Sequence, residues 1–260
     1  MRKGWHHRSA LVAVASMALS GCAGLTLIET GPPPKVFDLK ATTRFDDGLP
    51  DVDWQLVVEE PTAALAVDTD RIAVKTDFEL QYYAGARWSD RAPRMVQTRL
   101  LESFENSGHI LAVGRQAIGF RGDYTLRTEL REFQAEYNET YGNAPSAEGG
   151  ADVQPVVNVR MNFKIIRQPA AKIVASATFR CERLANGSSL IAGVAGFDET
   201  LDWVLRQSVG WTLIEAEADR LQTETQTTLD RQYTPDYFDC SLNSDGTRRS
   251  IIEVSARSDL

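Results

Sequence analysis

The sequence predicts an α+β domain: a mostly antiparallel sheet with two main helices packed on it. Three observations carry the prediction. Alternating apolar segments recur along residues 36 to 184, two stretches carry helical periodicity, and the segments run strands, helix, strands, helix. No internal repeat or low-complexity block interrupts this order between about Val36 and Leu213.

The elements follow in turn. "VFDLKA" and "DWQLVVEEP" are short strands with apolar centres, and "DRIAVKTDFELQYYAGARWSD" reads as strand, polar turn and strand. A helix is expected next, with Asp90 as N-cap and Pro93 in its first turn. Val96, Leu100 and Phe104 recur every four residues, and Gly108 is placed for a left-handed C-cap. "HILAVGRQ" returns as a strand, and "DYTLRTELREFQAEYN" alternates at Tyr124, Leu126, Thr128 and Leu130. After the polar loop "ETYGNAPSAEGGAD", "PVVNVRMNFKIIR" and "KIVASATFRCERLA" form a hairpin across Gln168-Pro169. The second helix, "FDETLDWVLRQSV", gathers Phe197, Leu201, Val204, Leu205, Ser208 and Val209 on one face.

Ahead of the domain, "MRKGWHHR" carries Arg2, Lys3 and Arg8 and no acid, and "SALVAVASMAL" carries no charge. A basic start, a short apolar core and small residues describe a secretory signal over residues 1–21. The apolar run is far shorter than the ~20 residues that a membrane-spanning helix needs. Leu19-Ser20-Gly21-Cys22 resembles the bacterial lipobox, in which the cysteine is acylated and becomes the new N-terminus; an ordinary secretory cut near an Ala or Gly is the plainer alternative. Residues 22–35, with the run Pro32-Pro33-Pro34, read as an extended tether, or else as a loop packed on the domain. The expected organisation is thus 1–21 leader, 22–35 lipidated Cys22 and tether, 36–213 domain and 214–260 C-terminal extension.

Charge narrows the function. The whole chain has 28 basic and 36 acidic residues, and loss of Arg2, Lys3 and Arg8 leaves a mature balance near −11. Such a surface is unsuited to nucleic acid or to electrostatic adhesion on anionic lipid. Membrane attachment is expected through acyl chains (palmitate among them), and more than one is needed for a stable anchor. Ala23 follows Cys22 where an Asp would retain an enteric lipoprotein at the inner membrane, so the expected address is the outer membrane, facing the periplasm.

Catalytic chemistry finds little support. Beyond the leader only His109 remains, at a helix-to-strand junction that suits a capping or surface role. Cys181 and Cys240 lie too far apart for metal-ligand spacing, and no metal or other cofactor is expected. "GVAGFDE" lacks the Lys of a phosphate loop. Glu59 and Glu60 are strand neighbours that point to opposite faces, so they form no acid/base pair. Two other features stand out. In an exported protein Cys181 and Cys240 are a disulfide candidate, the alternative being two buried thiols that never meet. "LQYYAGARWSDRAPR" sets Tyr82, Tyr83 and Trp88 beside Arg87, Arg91 and Arg94, side-chain types that dominate binding hot spots. Tyr82, Tyr83, Trp88 and Arg91 are therefore candidate partner contacts; the competing expectation is that the aromatic residues fill the core.

The lipobox, the Pro-rich tether and "VFDL" begin a resemblance to the ABC-type transport auxiliary lipoproteins, the family that includes the lipoprotein of the paraquat-inducible operon. It continues through "DTDRIAV", "ELQYYAGARWSDRAPRMVQTRLLESFENSG", "DYTLRTELREFQAEY" and "GFDETLDWVLRQSVGWTL". It covers about residues 36 to 213, with Phe37 standing where the first strand often has tyrosine. The resemblance implies a non-catalytic accessory component that works beside a permease, an ATPase and a mammalian-cell-entry (Mce) domain protein in moving lipid across the envelope, with homo-oligomerisation left open. A structural or assembly lipoprotein without lipid traffic is the alternative.

Overall fold

The computed structural model describes residues 32–117, 119–137, 153–225 and 236–239. The chain divides between Pro34 and Lys35, and the unit that starts at Lys35 carries all the regular structure considered below. Cys22, Cys240 and most of the expected tether and tail lie outside the described residues.

The strands are β1 (Lys35–Phe37), β2 (Val52–Val58), β3 (Thr62–Ala63), β4 (Arg71–Thr76), β5 (Glu79–Trp88), β6 (Ile110–Arg115), β7 (Tyr124–Tyr137), β8 (Val156–Arg167), β9 (Lys172–Leu184) and β10 (Asp236–Asp239). The helices are α1 (Ala92–Ser107) and α2 (Leu190–Thr225). All strands join one sheet around β7. One edge of β7 pairs antiparallel with β8, from Tyr124↔Arg167 to Glu136↔Val156. Its other edge receives β2 at Tyr124–Leu126, β3 at Glu129–Leu130 and β4 at Gln134–Tyr137, all parallel. The α+β class stands as expected. The sheet itself is mixed: antiparallel pairing runs along β7, β8, β9 and between β4 and β5, while the short strands are parallel.

Alternation decides the two faces. On β8, Val157, Val159, Met161, Phe163 and Ile165 are fully buried beneath α2. The intervening Asn158, Arg160, Asn162 and Lys164 point to the face away from the helices. There the buried amides are bonded: Asn158 Nδ2 and Gln134 Nε2 both donate to Glu136 Oε1, at 3.1 and 2.7 Å, and Asn162 Nδ2 donates to the Ala177 carbonyl at 3.0 Å. A buried amide without partners would cost about 1–3 kcal/mol.

The α1 start differs from expectation. Arg91, not Asp90, is the N-cap, and it makes no side-chain capping bond. The Ala92 N–H is taken by the Thr69 carbonyl at 2.9 Å and Pro93 has none to satisfy, so the loop replaces the side-chain cap. Asp90 Oδ1 instead accepts the Arg91 N–H at 2.8 Å. At the other end Gly108 is left-handed (φ 68°), as the sequence suggests. Polar side chains then fasten α1 to its surroundings. Gln97 Nε2 donates to the Val58 carbonyl, Asn106 Nδ2 to the Thr42 carbonyl, and Arg99 pairs with Asp38 at 2.7 Å.

The second helix is much longer than its apolar face predicts, running 36 residues from Leu190 to Thr225, so the expected boundary at Leu213 falls inside it. Gly193 and Gly196 conceal its start, because glycine is a poor helix former. The structure shows what Gly196 does: a Cβ there would lie 2.9 Å from Val157 Cγ2, so its absence lets α2 settle onto β8. Phe197, one residue on, completes a buried triangle with Trp88 and Phe133, with ring centroids 5.0–5.7 Å apart. Farther along the helix, Trp211 meets Phe179 edge-on at 5.8 Å, and Phe179 meets Phe163.

That close approach gives a prediction whose sign opposes helix propensity. Gly196→Ala should lower stability by about 1 kcal/mol or more, because Val157 cannot withdraw from a packed core. Gly193→Ala, whose Cβ would meet Tyr83 Oη at an ordinary 3.4 Å, should be neutral or stabilising by up to about 1 kcal/mol. Urea denaturation midpoints of the two variants check it.

Candidate functional site

The aromatic and arginine-rich stretch is a corner where β5 turns into α1. Trp88, at its inner end, is 1% exposed and belongs to the core triangle. It therefore offers nothing to a partner, a correction to its candidacy as a contact residue. Strand alternation separates Tyr82 from Tyr83, but both are half-buried. The Tyr82 hydroxyl donates to the Ala66 carbonyl at 3.1 Å, and Arg71 stacks 3.7 Å above its ring. Tyr83 reaches inward to share a 3.3 Å hydrogen bond with the Tyr137 hydroxyl beside Gly193. Burial, reinforced by Tyr137, pushes its phenol well above the usual tyrosine range.

The arginines of the corner are held by acids on neighbouring loops. Arg91 bonds Asp68 and lies 3.6 Å from Glu60, Arg87 pairs with Asp70 at 3.7 Å, and Arg94 with Asp90 at 3.3 Å. These contacts are substantially exposed, so solvent screening leaves each a minor contributor to stability. Together they pin the loop ahead of β4 to the start of α1 and leave half of the Arg91 side chain in solvent. Arg91 and Tyr82 are thus the surface members of the predicted group. Glu59 and Glu60 lie just past the end of β2, not in a strand as expected, and take different partners: Glu59 pairs with Arg127 and Glu60 with Arg91. His109 lies on the surface, 2.7 Å from Asp51.

At the far end of α2 the structure assembles a second polar site. A cleft of about 420 Å³ is lined by Asp53, Trp54, Asp123, Tyr124, Arg167 and Arg220, among others. Trp54 and Tyr124 cross edge-on at 5.1 Å. The Trp54 Nε1–H donates to Glu217 at 3.1 Å, and the Tyr124 hydroxyl donates to Asp219 at 3.0 Å. Arg167 grips both oxygens of Asp219 at 3.1 Å and also bonds Thr223. Arg220 holds Glu217 through two hydrogen bonds of 2.9 and 2.7 Å. Arg220 keeps the Glu217 carboxyl below its usual range against the opposing effect of burial. Burial, with Asp219 beside it, raises the Tyr124 phenol.

This arrangement fixes side chains: its donors and cations meet carboxylates. No cluster of His, Cys, Asp or Glu among the described residues suits a metal ion. Sequence reading missed the cleft because Glu217, Asp219 and Arg220 fall beyond the expected domain boundary. The available signal was the Glu217–Arg220 spacing within "EAEADRLQ", which suits a helical ion pair.

Comparison with known proteins places the chain. The family of ABC-type transport auxiliary lipoprotein components matches residues 39–209. A Xanthomonas campestris protein of the DUF330 family, of known crystal structure, is 32% identical, with a TM-score of 0.63 over 72% of this chain and 99% of that one. An uncharacterized protein of Bradyrhizobium diazoefficiens is 25% identical over 195 residues, 74% of this chain. The chain spans only 49% of that relative's length.

The cleft carries a pH-dependent prediction. A carboxyl whose folded pKa is depressed contributes stability above its ordinary pKa, and loses it as pH falls through the folded value. Glu217→Gln should be less stable than wild type at pH 7, and the gap should narrow below about pH 4. Urea midpoints measured from pH 7 down to about pH 2.5 test this; a gap independent of pH would contradict it.

Proposed function

This chain belongs to the family of ABC-type transport auxiliary lipoprotein components, and from that premise we propose that it is the outer-membrane lipoprotein of an Mce-type transporter that moves lipid across the envelope. The family description supports a membrane-anchored component that assists an ABC transporter, and the role proposed for it is non-catalytic. The family match over residues 39–209, which takes in α1, the first part of α2 and the central strands, is the observation that supports this reading. In the proposal Cys22 bears the acyl anchor, the domain faces the periplasm, and its partners are an Mce-domain protein, a permease and an ATPase. Tyr82 and Arg91 are the proposed contacts, since they keep exposed surface on a corner braced by α1. Among the described residues no helix is long and apolar enough to cross a membrane.

The Cys181–Cys240 pair is proposed as a staple for the tail. Cys181 is buried on β9, and β10 runs parallel to β9 with Asp239 opposite Arg180. The next position on β9 is Cys181 and the next residue in the chain is Cys240, so the register supports the pairing. Non-reducing peptide mapping should recover the linked pair; recovery of both as thiols would refute it.

Affinity purification of the full chain from detergent-solubilised envelopes, with mass spectrometry of proteins and lipids, tests the main reading. The expected result is recovery with the membrane fraction, together with an Mce-domain protein, a permease, an ATPase and phospholipid. Tyr82→Ala with Arg91→Ala should lower that recovery several-fold while leaving a cooperative urea unfolding transition. Recovery with an unrelated envelope protein and no transporter subunits would favour an assembly role instead.

A further inference from the structure

The strand register brings several exposed apolar side chains to one end of the sheet. Thr76 at the end of β4 pairs with Tyr137, Glu136 pairs with Val156, and Val156 pairs with Leu184 at the end of β9. Beyond Thr76 lies the β4–β5 turn, where Asp77 adopts φ 50° and donates its N–H to the Tyr137 carbonyl at 3.2 Å. This turn holds Phe78 outward, fully exposed (102%), with Leu80 partly exposed beside it. Leu184 is 59% exposed at the same end. The first turn of α2 is there too, because Gly193 lies against Tyr83 and Gly196 against Val157, and it carries Ile191 at 65% exposure. The other exposed apolar side chains, Leu65, Leu111, Ile173 and Leu221 among them, lie on other segments of the chain.

The N-terminal chain supplies the second observation. β1 runs parallel to β5, with Lys35 opposite Ala86 and Phe37 opposite Trp88. β1 therefore starts opposite Ala86, and its upstream end points along β5 in the direction of Glu79 and Phe78. Lys35, the first residue of this unit, is thus nearer the rim than Phe37 is.

We propose that the rim formed by Phe78, Leu80, Leu184 and Ile191 is a membrane-contact surface that rests in the interfacial layer of the bilayer. The inference rests on the lipid-anchored reading above. An acidic chain gains nothing electrostatically from an anionic bilayer, so the contact is apolar and insensitive to salt. A full-length aromatic side chain at a hairpin tip suits that layer, being able to enter without unpairing the backbone behind it. Tethering makes a weak contact sufficient. A segment of a dozen or so residues confines the domain near the bilayer at an effective concentration on the order of millimolar, so a few apolar side chains can decide its orientation. The opposite end, with the charged cleft at Asp53, Arg167 and Arg220, then faces away from the membrane.

The test uses the full chain, purified in detergent and placed in phosphatidylcholine–phosphatidylethanolamine vesicles. Intact mass reports acylation at Cys22 separately. Trp54, Trp88, Trp203 and Trp211 are all buried, so Phe78→Trp adds one exposed fluorophore to the domain. In vesicles whose phosphatidylcholine bears brominated acyl chains, the added emission should fall by at least about twofold, unchanged by 0.5 M salt, and adding Leu184→Asp with Ile191→Asp should largely restore it. Acylated protein that floats with the vesicles but shows no quenching at position 78 would overturn the rim and leave the anchor intact. Quenching that persists in vesicle-bound Cys22→Ser would support the rim even if the anchor reading failed. A photo-crosslinker at position 78 that captures a protein in cells, rather than lipid, would also overturn the proposal.

Discussion

The seating of α2 across the sheet is the constraint on which the rest depends. A 36-residue helix is compatible with this sheet only where its backbone comes close to β8, and Gly196 is the residue that permits it. Once it is seated, Phe197 drops into the space between Trp88 and Phe133, while Trp211 reaches Phe179 about four turns later. These rings come from β5, β7, β9 and α2, so no single hairpin or helix could bury them alone. Each fully buried large side chain contributes about 1.5–3 kcal/mol, enough that the cluster outweighs any of the surface ion pairs.

The polar interactions divide the labour differently. At the β5–α1 corner, Arg87, Arg91 and Arg94 meet Asp70, Asp68, Glu60 and Asp90 in partly exposed pairs, which position loops more than they stabilise the fold. At the end of α2, Arg167 and Arg220 are more enclosed and hold carboxylates that also accept bonds from Tyr124 and Trp54. That second set ties the last turns of α2 to β2, β7 and β8. Without it, those turns would rest on few apolar contacts, since most side chains beyond Ala216 are only half-buried.

The two ends of the sheet are consequently unlike. One carries an apolar rim, a hairpin tip and the upstream side of β1; the other carries a compensated polar cleft with a rigid aromatic wall. For an accessory lipoprotein this polarity matters more than a catalytic group would. One sheet, continuous from β5 through β9, carries both ends, so their spacing is set by strand pairing.

Much of this was legible in the chain because it depends on local periodicity. The strands of β7, β8 and β9, the α1 stripe at Val96, Leu100 and Phe104, and the left-handed cap at Gly108 follow from alternation, helical spacing and glycine's tolerance of positive φ. Sequence alone also determined the acidic balance and the segments that resemble the transport auxiliary lipoproteins. Long-range pairing decided the rest. Trp88 reads as a hot-spot residue until Phe133 and Phe197 enclose it, and Asp90 reads as a cap until the Thr69 carbonyl takes that role. Parallel pairing of the short strands along β7, the cleft joining residues 53 and 220, and the common end shared by Phe78, Leu184 and Ile191 depend on contacts between segments remote in sequence. Periodicity reports which face of a segment is apolar, because that is a local property. Which other segment covers that face is settled only when the chain closes on itself.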